Sequence, residues 1–427
     1  MTSNWLFLVS AIFIGVLFPE AGNAAKHAGG GANEFFSASQ KQVFQVRVID
    51  NSSGKKFAIG SGFSVSADGL IATNYHVVSD AVIEPGRFRL EYVASDGRTG
   101  PLRVLDVDVV HDLAVAVSNR SGDGYFSFRP VQMQKGNRIF SMGNPLDLGM
   151  TIIEGTYSGL IEESLYEKIL FSGSLNPGMS GGPTIDTTGS VIGINVSTAG
   201  NEISFLVPAM YLRNLVSTVR QRKPGDSVHF LARIEQELYD NQDDYMNRLL
   251  AGEWKQDTLG DCLVPREMGG CFRCWGETPH DTDVLYSTSY VSCSNSDDIY
   301  LSPDFSTGDI DISYRWFDTR SLGRERFYRV LQRQYAETDI PNVEAKDELK
   351  EPQTITRFVS IAGARWKTTM CAWQYRKYPR LNDVVLKMAL VNKSSRAMIV
   401  ELKLLGVSKE KALAFCKKFM GALRCRA

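Results

Sequence analysis

"SLNPGMSGGPTID" (174–186) decides how this chain is read. Gly178, Gly181 and Gly182 surround Ser180, and Pro177 and Pro183 fix the way in and out. Glycine reaches backbone conformations closed to other residues, and proline locks φ. A loop that concentrates both around one hydroxyl is suited to aiming successive backbone N–H groups into one hollow. A serine nucleophile needs such a hollow. Its hydroxyl stays weak until a base removes the proton, and the carbonyl oxygen it attacks becomes an anion that preorganised donors must receive. Ser180 is therefore the candidate nucleophile. The segment Gly178, Met179 and Ser180 is the candidate oxyanion hole, with the amides of Gly178 and Ser180 as its donors.

The base must be one of five histidines: His27, His76, His111, His229 and His280. His27 falls in a glycine-rich leader. His76 lies in "GLIATNYHVVSD" (69–80), directly after a strand-like run, and His111 adjoins Asp112 in "VVHDLAVAV" (109–117). The surrounding sequence is a succession of short β-branched or aromatic runs, among them "QVFQVRVI" (42–49), "FRLEYVA" (88–94), "LAVAVS" (113–118) and "VIGINVS" (191–197). Asp68-Gly69, Asp96-Gly97 and Thr188-Gly189 punctuate them as turns. Many short strands with regular turns predict a barrel or sandwich.

Six blocks in this region carry a family resemblance: "GSGFSVSADGLIATNYHVV" (60–78), "HDLAVAV" (111–117), "MGNPLDLGMTIIEGTYSGLI" (142–161), "NPGMSGGPTID" (176–186), "GSVIGINVS" (189–197) and "EISFLVPAMYLRNLV" (202–216). In content and order they resemble the HtrA (Deg) branch of the trypsin-like serine proteases. The resemblance implies an all-β double six-stranded barrel, trypsin-like, with the site in the crevice between barrels. It implies a triad of His76 as general base, Asp112 as its orienting acid and Ser180 as nucleophile, with His111 a bystander. Ser174 would floor the pocket for the residue before the cut, and Asn195, Val196 and Ser197 would form its wall and pair with extended substrate. With no charge at Ser174, small aliphatic residues are the implied preference, in unfolded or misfolded proteins. The family also implies homotrimers, for which Phe35 and Phe36 are candidate contacts.

The resemblance stops near residue 220, and no PDZ pattern follows. The expected organisation is a signal peptide (1–24), a flexible leader (25–36), the protease domain (37–223), a helical connector (224–256) interrupted at "DNQDD", and a smaller α+β cysteine-containing domain (257–427). The uncharged apolar run at 4–18 has the length of a signal-peptide core rather than a bilayer span. It predicts export to the periplasm or medium, with an uncleaved membrane anchor as the alternative. All seven cysteines lie between 262 and 425, and in an exported chain they read as disulfides with one thiol left over. A zinc site from Cys262, Cys271, Cys274 and Cys293, or a redox pair at Cys271 and Cys274, are the competing readings. No cofactor or metal is expected. The net charge of −1 gives no footprint for nucleic acid. The basic "SKEKALAFCKKFMGALRCRA" (408–427) reads as a solvated helix, or as a contact for a membrane or acidic partner. Beside the exported endopeptidase stands a second function: a chaperone-like or partner-binding protein on a trypsin-like scaffold.

Overall fold

The structure, a computed structural model, describes residues 31–426 apart from 121–123, 129–132, 201, 224–225, 227, 279–284, 296, 338–340 and 392. The expected signal peptide, His27 and His280 lie outside the described residues. Two closed antiparallel barrels follow one another. The first is made of β1 (Val43–Asp50), β2 (Lys56–Ser64), β3 (Leu70–Thr73), β4 (Phe88–Val93), β5 (Thr99–Asp108) and β6 (Leu113–Ser118), in the order β1-β2-β3-β6-β5-β4. The second is made of β7 (Arg138–Gly143), β8 (Thr151–Leu160), β9 (Ile169–Ser172), β10 (Pro183–Ile185), β11 (Val191–Gly200) and β12 (Ile203–Pro208), in the order β10-β11-β12-β9-β8-β7. Read from its own first strand, the second barrel repeats the connectivity of the first, so the six-strand barrels expected from the resemblance are present as a duplicated topology.

Helices occupy the ends and seams. α1 (Ala32–Ser39) begins inside the stretch expected to be a flexible leader. Phe35 is buried and its ring lies 4.8 Å from that of Phe140 on β7. An aromatic side chain that finds a slot on the second barrel orders the segment that carries it, and Phe35 is thereby taken up within the chain. α2 (Tyr75–Ile83) crosses from β3 to β4. α3 (Ala209–Gln221) buries Ala209, Leu212, Leu215 and Val216 at helical spacing. α4 (Phe230–Ala251) buries Ile234, Leu238, Tyr245, Met246 and Leu249 and runs unbroken through "DNQDD". Its acidic residues are exposed or half-buried. Gln242 alone of that stretch is fully buried; it donates to the Tyr239 carbonyl and accepts from the Ser408 amide at 3.1 Å.

The C-terminal region is strand-rich. β13 (Trp254–Leu259), β14 (Cys262–Met268) and the terminal pair β24 (Arg424–Cys425) make a small sheet. A seven-stranded antiparallel sheet holds β15 (Arg273–Glu277), β16 (Ser287–Ser294), β19 (Ile310–Asp318), β23 (Arg396–Val407), β22 (Asn382–Val391), β21 (Ala364–Gln374) and β20 (Gln353–Ile361), in that spatial order. α5 (Arg324–Ala336) and α6 (Lys409–Ala422) pack on it, and β17 (Ile299–Ser302) and β18 (Phe305–Thr307) form a separate hairpin. Disulfides join Cys262 to Cys425 and Cys274 to Cys293. Three cysteines, Cys271, Cys371 and Cys416, remain thiols rather than the single one expected from an odd count. These pairings take three of the four residues of the zinc reading, and the redox pair is unmade because Cys274 bonds to Cys293. Among the described residues, no helix is long and apolar enough to cross a membrane.

The apolar interior of the first barrel does not stop at its strands. Phe44, Val46 and Val78 belong to one continuous buried cluster that runs through Ile234 and Leu238 of α4 to Leu301, Phe305, Tyr375 and Tyr378. The C-terminal region is thus packed directly against the barrel that bears His76.

Candidate active site

His76 is the second residue of α2, and the turn before the helix is fixed by polar contacts. The Thr73 hydroxyl donates to the Ser61 carbonyl at 2.7 Å, and Asn74 Nδ2 donates to the Asp112 carbonyl at 2.7 Å. The first N–H groups of a helix have no partner within it. The His76 amide finds one in Asp112 Oδ1 at 2.8 Å, and the other oxygen of the same carboxylate meets His76 Nδ1 at 2.6 Å. Asp112 therefore caps α2 and orients the imidazole at once, with the helix N-terminus favouring its negative charge. It reaches both through a left-handed backbone (φ 53°), a conformation that Asp tolerates better than most residues. An ionised carboxylate only accepts, so the proton sits on Nδ1 and Nε2 carries the free lone pair. Burial alone would push the His76 imidazole down, but the charge and hydrogen bond of Asp112 outweigh it and raise the group above its ordinary range.

The serine loop is braced from behind. The Pro177 carbonyl accepts from the Leu146 amide at 2.9 Å. The Met179 carbonyl accepts from the Gly182 amide and from Asn195 Nδ2, both at 3.1 Å. In a trans peptide the N–H points opposite to the C=O. Those two braces accordingly turn the amides of Gly178 and Ser180 the other way, and neither has an acceptor among the described residues. Met179 takes no part as a donor: its amide bonds to the Asn176 carbonyl at 3.0 Å and its side chain is buried in the second barrel. Gly178 sits at φ 96°, and a Cβ there would lie 2.4 Å from the Asn144 carbonyl. At Gly181 (φ 84°) a Cβ would lie 2.3 Å from both the Ser61 carbonyl and the Thr73 hydroxyl, which brings the loop against the turn leading to His76. The Ser180 hydroxyl donates to the Val196 carbonyl at 3.1 Å and makes no hydrogen bond to His76. Catalytic hydrogen bonds are often loose before substrate arrives.

The remaining sequence candidates separate. Ser174 is exposed on the loop after β9, and Val196 and Ser197 lie on β11 beside the serine. Asn195, expected in the pocket wall, is wholly buried. It accepts from Ser141 and Thr184, each at 2.7 Å, and donates to the carbonyls of Met142 (3.0 Å) and Met179 (3.1 Å). That uses the whole capacity of a carboxamide; Asn195 is a post behind the loop. Beyond Ile194, which pairs with Pro183, β11 keeps its β12 partner but has outrun β10. Its free edge starts next to Ser180. His111 is held by Asp108 at 2.9 Å and stacked on Tyr211, with ring centroids 3.8 Å apart. Two residues escaped the sequence reading. Ser61 ties the halves together: its amide donates to the Ser180 carbonyl at 2.8 Å and its hydroxyl to the Gly178 carbonyl at 2.7 Å. Tyr300 stands edge-on to the His76 ring at 5.9 Å, and nothing in a lone tyrosine 224 residues away announces it.

Two barrels with this seam define a trypsin-like peptidase fold. Residues 60–194 match the trypsin-like peptidase domain family. Curated relatives include Serine protease HTRA1 of Xenopus laevis, 31% identical over 39% of this chain and 37% of that protein. A probable periplasmic serine endoprotease, DegP-like, of Bartonella henselae is 31% identical over 39% of this chain and 34% of that protein. A solved serine endoprotease from Yersinia pestis superimposes at a TM-score of 0.39 with 22% identity, covering 45% of this chain and 68% of that one. The N-terminal part of the chain is thus similar to trypsin-like serine peptidases of the HtrA type. The chain spans between a third and a half of the length of the curated relatives it matches.

Proposed function

We propose that the protein is an exported serine endopeptidase that cleaves extended segments of unfolded or misfolded polypeptides. The reading rests above all on the coincidence of a carboxylate-oriented imidazole with two unpartnered amides flanking a serine hydroxyl. In this mechanism His76 Nε2 takes the Ser180 proton as Oγ attacks the scissile carbonyl carbon. The new oxyanion is received by the amides of Gly178 and Ser180. His76 then gives its proton to the leaving amine as the C–N bond breaks. A water, deprotonated by the same imidazole, releases the acyl group and restores Ser180. Asp112 remains ionised throughout and steadies the imidazolium. Substrate would add as a strand along the free edge at Val196 and Ser197, with a small uncharged residue toward Ser174 before the cut. Export is supported by the apolar run at 4–18 and by two disulfides, which persist in oxidising compartments. We take residues 37–223 as the protease domain, 224–256 as connector and 257–427 as the second domain.

A fluorophosphonate serine-hydrolase probe and casein degradation test the proposal together. The wild-type protein is expected to be labelled and to degrade unfolded casein, and Ser180→Ala to do neither. Labelling or degradation that survives in Ser180→Ala would remove Ser180 from its role. Suppression of aggregation by Ser180→Ala would show that binding is a second, separable activity.

A further inference from the structure

The crevice beside His76 is not closed by the two barrels alone. A cavity of about 290 Å³ adjoins the imidazole, with Val196 and Ser197 on one side and Asp298, Ile299 and Tyr300 of the C-terminal region on the other. A second hollow of about 600 Å³ shares Lys168, Ser197 and Asp298 with it, so the two adjoin one another along the C-terminal region. The hairpin that brings Tyr300 here is firmly seated. Ile299 and Leu301 are 3% and 1% exposed, and the Tyr75 hydroxyl donates to the Leu301 carbonyl at 2.9 Å. Successive strand residues face opposite ways. With Ile299 and Leu301 turned into the core, Tyr300 faces the crevice.

We propose that the C-terminal region forms one wall of the substrate groove, and that Tyr300 selects an apolar side chain at the second residue before the cut. The inference rests on the serine peptidase reading. A substrate lying extended along the β11 edge alternates its side chains. The residue whose carbonyl meets Ser180 turns its side chain toward the Ser174 side. The residue before it then points the other way, toward His76 and Tyr300. The tyrosine ring offers that side chain an apolar surface, and the cavity of about 290 Å³ suits one branched or aromatic group. Residues further upstream would run into the larger hollow past Lys168.

The test compares matched fluorogenic peptides that differ only at that second residue (Leu, Gly or Glu), with the full-length protein and two variants. Wild type is expected to favour Leu over Gly in kcat/KM by at least about tenfold, the scale of discrimination that apolar pockets supply. Tyr300→Ala should bring that ratio within about threefold. Tyr300→Trp, which fills the cavity and keeps an aromatic ring in the packing, should tilt it toward Gly. Selectivity for the residue immediately before the cut should hold in both variants. The inference is overturned if wild type hydrolyses the peptides but both variants keep the Leu-to-Gly ratio. Wild-type protein that neither hydrolyses the peptides nor takes the fluorophosphonate label would instead overturn the peptidase reading on which the inference stands.

Discussion

The barrels and the C-terminal sheet stabilise themselves by different means. Each barrel closes on itself, so its strands leave few unpaired edges, and the stretch 43–208 that holds both contains no cysteine. The seven-stranded sheet stays open, with β15 at one edge and β20 at the other. Its β15 edge is cross-linked to β16 by Cys274–Cys293, and Cys262–Cys425 fastens the end of the chain to β14. β20 is largely exposed. Closure gives the rigidity that loops need if they are to hold reacting groups. An open sheet with covalent ties gives a broad frame that brings one short hairpin to the crevice. The difference suggests a division of labour in which the barrels supply reactivity and the C-terminal region supplies selection.

The largest test of that division is Asp112→Asn. Turnover should fall by about ten-thousand-fold, since the imidazole then favours the wrong tautomer. The pH profile gives a second readout. A base must be neutral, and Asp112 raises the His76 group, so the wild-type acid limb should lie above the ordinary imidazole range. With the charge gone, burial acts alone and the limb should move to lower pH. The same raised group stabilises the fold at low pH, and this contribution is lost as pH rises through its folded value. A profile unmoved by Asp112→Asn would mean that His76 is not the titrating base.

Next in size is Cys262→Ser. Removing a tie that spans 163 residues should cost about 5 kcal/mol by loop-closure entropy, against about 3 for the 19-residue loop of Cys274→Ser. Urea melts measure both. Equal and small losses would show that the sheet does not depend on its cystines. Asn195→Ala should then lower turnover by about a hundredfold or more, because the brace on the Met179 carbonyl is lost and an oxyanion donor drifts. A drop in stability with kcat intact would make Asn195 a packing residue only. The smallest effect belongs to Tyr75→Phe, which deletes the hydrogen bond to Leu301 and should cost about 1 kcal/mol in a thermal or urea melt.

The two regions also differed in how far they could be read from sequence. Ser180 was legible because its loop needs glycines at Gly178 and Gly181, where a side chain would strike backbone. His76 and Asp112 were singled out by the family resemblance of the blocks that carry them, not by periodicity, since the strands beside them are buried without alternation. What failed to show was contact at long range. Asn195 gives no sign that its carboxamide serves four partners on three segments, and it was assigned to the pocket instead. α4 keeps the acidic residues of "DNQDD" exposed or half-buried and gives the buried Gln242 hydrogen-bond partners, so a polar run that suggests a break does not interrupt the helix. Tyr300 gains its position from the docking of a whole hairpin, a tertiary fact with no local signature. Cystine connectivity was open for the same reason: Cys262 and Cys425 meet only once the sheet is assembled.

Tyr75 and Asp112 together give the start of α2 a further property. Tyr75 is anchored to the C-terminal hairpin, and His76, the very next residue, is anchored to the first barrel's carboxylate. A displacement of the hairpin therefore reaches the imidazole across a single peptide unit, with no intervening residue to absorb it.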